Sequence, residues 1–366
     1  MDISIVLSVY NNLGYTKDCY KRVREIYPEA PMVISSGGSN DGTLEWLESL
    51  SDDYLSFIHD DDRLTFSDNY NSAINLVDTD KLVLIHNDMV IGENFLENLS
   101  DLIDEKSLIT YTTIEPPIFK GHKRAGKVIQ DFGNNFFDFN YGLFNQYVEK
   151  VKSNKTLVNG GSFFLSGYKN TFIDIGLFDG FSFSPYFCED DDFLIRAKLK
   201  GYKLKTTECA VVYHFVSKTS RSNPEASRLS EHKNIRNFIR KWGIPIPVFN
   251  EMRYWEDEIF SYKTFNMGLT TRSDSKLYNV EPYFNKIDLG RIPEEYINNE
   301  QVNTNYDLRS KFILTDVVDV MIYETSPMTD EDIYTINKIR LSIPHYDVGE
   351  YQIGNLLIEI RNKINP

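Results

Sequence analysis

The run Ile3-Ser4-Ile5-Val6-Leu7-Ser8-Val9 is apolar at five of seven positions and bounded by Asp2 and by Tyr10-Asn11-Asn12. A short, β-branched apolar run between polar flanks predicts a strand buried on both faces. After the turn-forming Asn11-Asn12-Leu13-Gly14, apolar positions recur at Cys19, Val23 and Ile26, a helical spacing that must end before Pro28. Met32 to Ser35 predicts a second strand, Tyr54 to Ile58 a third, Asp68 to Leu76 a helix, and Lys81 to Ile85 a fourth strand ending at His86-Asn87-Asp88. Between the second and third strands, GGSNDGTLEWLESL predicts a helix with Leu44, Leu47 and Leu50 on one face, capped by Asp41 or Thr43. Strands alternating with helices predict an α/β fold with a mostly parallel sheet covered by helices on both faces.

The pattern changes near residue 107. Tyr111 to Thr113 carries a strand signal, Pro116-Pro117 breaks it, and the aromatic, Gly- and Asn-rich stretch DFGNNFFDFNYGLF reads as loops and short strands over an acceptor cleft. Regular patterning resumes at Gly161 to Leu165, gives a strand at Ala210 to Phe215, and ends in a helix through Ile235, Phe238, Ile239 and Trp242. Gly243, Pro245 and Pro247 mark a boundary, so the chain divides into 1–243 and 244–366. The second part is rich in Tyr, Asn and Asp over 248–310 and helix-like over 329–362, predicting a smaller, mainly helical domain for acceptor recognition or self-association as a homo-oligomer.

Composition narrows the function. A formal charge of -15 argues against a sequence-independent grip on a phosphate backbone, so an anionic ligand needs a cation or a local basic groove. Three cysteines, Cys19, Cys188 and Cys209, are an odd number without metal-ligand spacing, which points to reduced thiols and a cytoplasmic setting. The opening residues lack a basic region and read as a strand rather than a signal peptide. No apolar stretch reaches the roughly 20 residues that span a bilayer.

In open parallel sheets, ligands bind beyond the carboxyl ends of the strands. There the chain places Tyr10-Asn11, Ser36 to Asp41, Asp88, and later Asp190 and His214. Glycines let backbone approach a ligand, Asp and His ligate a divalent cation, and a separate carboxylate can act as base. The separate carboxylate is offered by FCEDDDFLIRAKLKG, where Glu189 to Asp192 open an amphipathic helix. The macrodipole favours acids at a helix N-terminus, but four adjacent ones repel one another, so either a solvated first turn or a chemical role accounts for them.

Taken in order, these pieces resemble the family 2 glycosyltransferases with the GT-A (Rossmann-like) fold. SIVLSVYNN is similar to that family's first strand and turn, GGSNDGT to its Gly-Ser-x-Asp-Gly-Thr segment, and IHNDMVI to its DxD-like strand end. EDDDFLIRAKLKGY resembles its acidic motif, and VVYHF its later strand ending in His. The resemblance covers about residues 1 to 242. It implies an inverting, metal-dependent transfer from a nucleoside-diphosphate sugar, a UDP-sugar on family frequency, to a hydroxyl of a glycan, protein, lipid carrier or modified nucleic-acid base. It implies Asp190 as general base, with Glu189 or Asp191 in that role if the register slips by one. It implies Asp88 as ligand of Mn2+ or Mg2+, His214 as a further ligand or a phosphate contact, and Ser8, Tyr10, Asn11, Ser36, Asp41, Arg63, Asn71 and Asn87 around the donor; His86, beside Asp88, either ligates the ion itself or leaves Asp88 as the only carboxylate there. Asp192 would orient the site or cap the helix, and Arg196 would pair internally with an acid.

Each role has a plainer counterpart. Asp88 could be a turn residue, His214 a hydrogen-bonded strand end, Arg63 a surface salt-bridge partner and Asn71 a helix-surface residue. Lys218 and Arg221 could close over the diphosphate or lie in a solvated loop. Two positions depart from the family pattern: Ser36 stands where an acid is usual, and His86 where Asp or Asn opens the DxD-like element. Those departures favour a rival reading, a non-catalytic sugar-nucleotide-binding scaffold. A nucleotidyltransferase, the other rival, wants a basic Gly-rich segment after the first strand, which Tyr10 to Gly14 does not supply.

Overall fold

A computed structural model describes residues 2–118, 124–216, 223–245, 265–313 and 318–364. Lys218 and Arg221 lie outside the described residues. By contacts the chain divides into two units, the first built from residues up to 180 together with 184–228, the second from 181–183 and from 229 onward.

The first unit holds a ten-stranded sheet. Its parallel half comprises β1 (Ile3–Val9), β2 (Met32–Gly37), β3 (Leu55–Asp60) and β4 (Lys81–Ile85), in the spatial order β3-β2-β1-β4. β1 pairs in parallel with both β2 and β4, which explains its mostly apolar character: Ile3, Ile5, Val6 and Leu7 are fully buried. Each such side chain contributes about 1.5–3 kcal/mol of burial free energy. Helices α1 (Leu13–Ile26), α2 (Thr43–Glu48), α3 (Phe66–Leu76) and α4 (Phe95–Leu102) flank this unit's strands. α1 buries Cys19 and Val23, the positions its spacing predicted, and α3 buries Tyr70, Ala73 and Ile74.

The other half of the sheet is mixed. β5 (Met89–Ile91), β6 (Ser107–Glu115), β7 (Lys127–Ile129), β8 (Leu157–Asn159), β9 (Leu165–Tyr168) and β10 (Lys203–His214) extend it beyond β4. β9 runs antiparallel between β4 and β6, whereas β10 runs parallel to β6. The 107–160 stretch is therefore more regular than the sequence reading anticipated: β6 is a nine-residue, fully buried strand, and α5 (Tyr141–Val151) replaces part of the expected loop. Asn140 caps α5 by accepting from the Leu143 amide, and Phe144 and Val148, four residues apart, bury its inner face. α6 (Lys169–Ile175) and α7 (Glu189–Leu199) follow, then α8 (Pro224–Trp242).

The second unit contains a five-stranded sheet, in the order β12 (Lys286–Asp288), β11 (Met267–Thr270), β13 (Val320–Glu324), β15 (Leu356–Ile360), β14 (Gly349–Ile353). With it come α9 (Leu277–Val280), α10 (Glu294–Gln301) and α11 (Asp330–Ser342). The helix expected over 329–362 occupies only its first part, and the remainder is a β-hairpin; the mainly helical expectation is corrected to a sheet with helices. Met267, Leu269, Val320, Ile322 and Leu356 form the centre of its apolar core.

Candidate active site

Strand pairing assembles the site. β4 ends at Ile85, the chain passes through His86-Asn87-Asp88, and β5 then returns antiparallel against the end of β10, with Met89 opposite His214. The Phe215 amide donates to the Asp88 carbonyl at 3.0 Å, fixing that register. β6 lies on the other side of β10, with Ile114 opposite Tyr213, so Glu115 arrives beside His214. Three strand ends, far apart in sequence, thereby converge.

His86, Asp88 and His214 each offer a ligand atom, and these atoms lie within 4.8 Å of one another. Nε2 of His214 is 3.3 Å from Oδ1 of Asp88, and its Nδ1 is 3.1 Å from Oε1 of Glu115. Nε2 of His86 is buried without a hydrogen-bond partner. An orphaned imidazole nitrogen beside a carboxylate and a second imidazole is costly in a dry interior unless something binds it. Ligands of one ion at about 2.1 Å sit roughly 3 to 4 Å apart, so small rotations suffice and the residues fit a divalent cation. Burial, aided by the neighbouring His214, pushes His86 down to about 3, so it stays neutral and able to ligate. Burial also opposes charge on His214, but without a cation Asp88 and Glu115 outweigh it and lift the imidazole to about 9, so an ion taken at Nε2 would displace a proton from it. For Glu115, too, burial is outweighed, here by His214, Arg124 and Lys127, and the carboxyl falls to about 2. Arg124 and Lys127 both ion-pair with Glu115, and Arg124 lies over the Phe164 ring at 4.2 Å.

The acidic cluster opens α7, as its pattern predicted, but its four members differ. Asp192 is fully buried and accepts from Nε of Arg196 at 2.9 Å, while Arg196 also donates to the carbonyls of Ile175 and Leu177; this is the internal pairing expected of Arg196. Glu189 is buried with Oε2 unbonded, and burial, reinforced by Asp190 and Asp191, holds its carboxyl well above the ordinary range. Asp190 and Asp191 are partly exposed. The charge of Asp190 reaches Arg124, which ties this acid electrostatically to the Glu115–His214 group. Phe187 and Cys188, just ahead of the helix, both adopt left-handed backbone with φ of 86° and 74°. Such conformations cost roughly 1–3 kcal/mol each in non-glycine residues and tend to collect at functional sites.

A second group forms beyond β1, β2 and β3. Arg63 stacks its guanidinium over the Tyr10 ring at 4.4 Å. Gly38, at φ 74°, makes this possible: a Cβ there would come within 2.6 Å of the Arg63 Cα. Asn11 and the Ser39-Asn40 segment are tied by reciprocal bonds, the Asn11 amide donating to Ser39 Oγ and the Asn40 amide to Asn11 Oδ1, both at 2.9 Å. Asp41 accepts from the Leu13 amide at 2.8 Å, so it caps α1 from a distance rather than α2, whose N-cap position is Gly42. Ser36 is buried, with Oγ 3.1 Å from Nδ1 of His59, a partner that no sequence motif singles out. Ser8 pairs with Ser35 in the sheet. Asn71 and Asn87 are engaged elsewhere: Asn71 exchanges two bonds with the Phe178 backbone, and Asn87 donates to Thr16 Oγ1. The nearby Asn69 links strand ends by donating to the Val9 carbonyl and bonding Ser35.

Fold and site define an α/β protein that gathers nucleotide- and cation-type groups at the carboxyl ends of its strands. Residues 4–168 match the family model Glycosyl transferase family 2. The match ends before Asp190 and His214. No curated protein sequence matches the chain. Among solved structures it is similar to the mannosyltransferase PcManGT from Pyrobaculum calidifontis in complex with GDP-Man and Mn2+, at 16% identity over 70% of this chain and 69% of that one, with TM-score 0.47. It is also similar to S. aureus TarS 1-349 in complex with UDP-GlcNAc, at 14% identity over 65% and 67%, TM-score 0.43. A third, S. aureus TarS 1-349 in complex with UDP, gives 13% identity over 100% and 98%, TM-score 0.48.

Proposed function

We propose that this chain transfers a sugar, with inversion, from a nucleoside-diphosphate sugar to an acceptor hydroxyl on a glycan, protein, lipid carrier or modified nucleic-acid base, using a divalent cation. The observation that carries this reading is the convergence of His86, Asp88 and His214 at the ends of β4 and β10. These three residues hold Mn2+ or Mg2+, which when bound supplies charge neutralisation for the departing diphosphate. Two imidazoles in the set favour a transition ion such as Mn2+ over Mg2+. Tyr10 and Arg63 offer a flat aromatic and cationic surface to the donor's nucleobase, with UDP as the base-bearing group we favour. Asn11, Ser36 and Asp41 shape the loops beneath it, Ser8 and Asn87 back the diphosphate side, and Asn71 braces α3.

Asp190 takes the acceptor's hydroxyl proton. Its partial exposure and its place at the head of α7 suit a group that must meet an incoming substrate, whereas Glu189 and Asp192 are shut from solvent. Among the described residues no helix is long and apolar enough to cross a membrane. The three buried cysteines, an odd number without metal-ligand spacing, support action in the reducing cytoplasm. The second unit serves acceptor recognition or self-association as a homo-oligomer.

The test is a thermal-shift series of nucleoside-diphosphate sugars with and without Mn2+. A true donor at one hundred times its dissociation constant adds about 2.7 kcal/mol. Asp190→Asn should keep donor binding while turnover falls about 10²- to 10⁴-fold. A flat response to every donor defeats the reading.

A further inference from the structure

We propose that Glu115 positions the metal site, acting through His214 rather than by binding the ion. The inference rests on the metal-dependent reading above and deepens it.

The sheet puts Glu115 where it can act. β6 and β10 run parallel with Ile114 opposite Tyr213, so the next residue of each strand, Glu115 and His214, come side by side at the sheet's carboxyl edge. An ionised carboxylate can only accept, so the 3.1 Å contact between Oε1 and Nδ1 of His214 requires the proton on Nδ1. That choice fixes the ring plane and turns Nε2 toward Asp88, 3.3 Å away, within the group in which His86, Asp88 and His214 each offer a ligand atom within 4.8 Å of the others.

Glu115 is itself held from behind. Arg124 pairs with Oε1 and also donates to Oγ1 of Thr113, and Lys127 pairs with Oε2 at 3.2 Å. Both carboxylate oxygens are therefore committed, which explains why Glu115 stands outside the ligand group although it is close to it. Arg124 is kept in place by the Phe164 ring, and Phe164 also packs against His214 with ring centroids 5.3 Å apart. The result is a relay, Lys127 and Arg124 to Glu115 to His214, of the kind in which an outer carboxylate orients a ligating imidazole.

The alternative is that Glu115 merely neutralises two buried cations. A double-mutant cycle on the full-length chain separates the two, with Mn2+ affinity read from the electron paramagnetic resonance signal of free Mn2+ in the presence of UDP. Glu115→Gln should weaken Mn2+ binding roughly 10- to 100-fold. Against a His214→Ala background the same change should have no further effect, because the path to the ion is already cut. Melting temperatures monitor folding, and if Glu115→Gln does not fold, Glu115→Asp, which retains the charge but withdraws it by one methylene, carries the measurement. Wild-type Mn2+ affinity in the folded variant, or equal losses in both backgrounds, overturns the proposal while leaving the metal reading intact. Absence of Mn2+ binding by the wild type overturns the metal reading and this inference with it.

Discussion

Two buried ionic groups, one in each unit, are made of the same chemistry and finished differently. In the second unit Arg240 donates to Glu281, to Glu300 and to Asn237, while Tyr296 and Lys311 complete Glu281 and Arg236 completes Glu300. None of these side chains leaves a buried polar atom unbonded. In the first unit His86, Asp88, His214 and Glu115 are comparably buried, yet an imidazole nitrogen of His86 has no partner. A satisfied network has nothing left to bind and serves the fold; an unfinished one has a valence to offer. Burial and charge do not distinguish the two groups, since both contain glutamates held down to about 2.

The sharpest way to break this comparison is Arg240→Ala. Leaving Glu281 and Glu300 buried without their shared cation should cost about 3–5 kcal/mol in denaturant unfolding, with Mn2+ affinity unchanged. A loss below about 1 kcal/mol would mean that the network is not holding the unit together.

Acid should act next. Burial alone would raise Glu281, but Lys311 and Arg240 overcome it and hold it at about 2, against 4.5 for an ordinary glutamate. The folded value lies below the unfolded one, so the stabilisation is fully present above about pH 4.5 and disappears as the pH falls toward 2. Its full size is roughly 3 kcal/mol from the shift. Burial pushes Lys311 below the usual lysine range despite its partner, which marks the fold as tolerating rather than favouring that charge. Unfolding free energies of wild type and Glu281→Gln between pH 7 and pH 3 should converge; parallel curves would contradict this account.

In the first unit Asp88→Ala should do the opposite of Arg240→Ala. The metal-free melting temperature should shift little, while the stabilisation of about 2.7 kcal/mol given by Mn2+ at one hundred times its dissociation constant disappears. Retained stabilisation would remove Asp88 from the ligand set. The smallest effect belongs to His86→Asp, which restores a carboxylate at the head of the DxD-like element and should move the preference between Mn2+ and Mg2+ toward Mg2+ by about tenfold, near 1.4 kcal/mol. An unchanged ratio in competition titrations would show that His86 does not set the choice of ion.

Much of the first unit was legible in the sequence because strong local signals and the fold agree there. Short, mostly apolar runs marked β1 and β4, and the residues just past them, Tyr10, Asn11 and His86 to Asp88, stand where strand ends put ligands. α5 could have been read as well: Asn140 followed by Phe144, Tyr147, Val148 and Val151 is a cap and an apolar face, hidden by the aromatic richness around it. Glu115 could not. It follows a strand signal and precedes Pro116-Pro117, so it looks like a break, and the role proposed for it comes from a strand pairing that joins it to a histidine 99 residues later. Asp41 illustrates the same limit at shorter range, since it caps a helix that begins 28 residues before it. The sheet of the second unit escaped notice because its strands span three to five residues, too few for a period of two to stand out from its surroundings.

The three-residue strand β5 carries more information than its length suggests. Its pairing with the end of β10 fixes which residue faces which, and a shift of one position turns every side chain to the opposite face. A single residue inserted between Asp88 and Met89 would therefore preserve every ligand in the sequence and still scatter them in space. The proposed cation site of this chain is encoded in phase, as an alignment between strands, as much as in the identity of its histidines and aspartate.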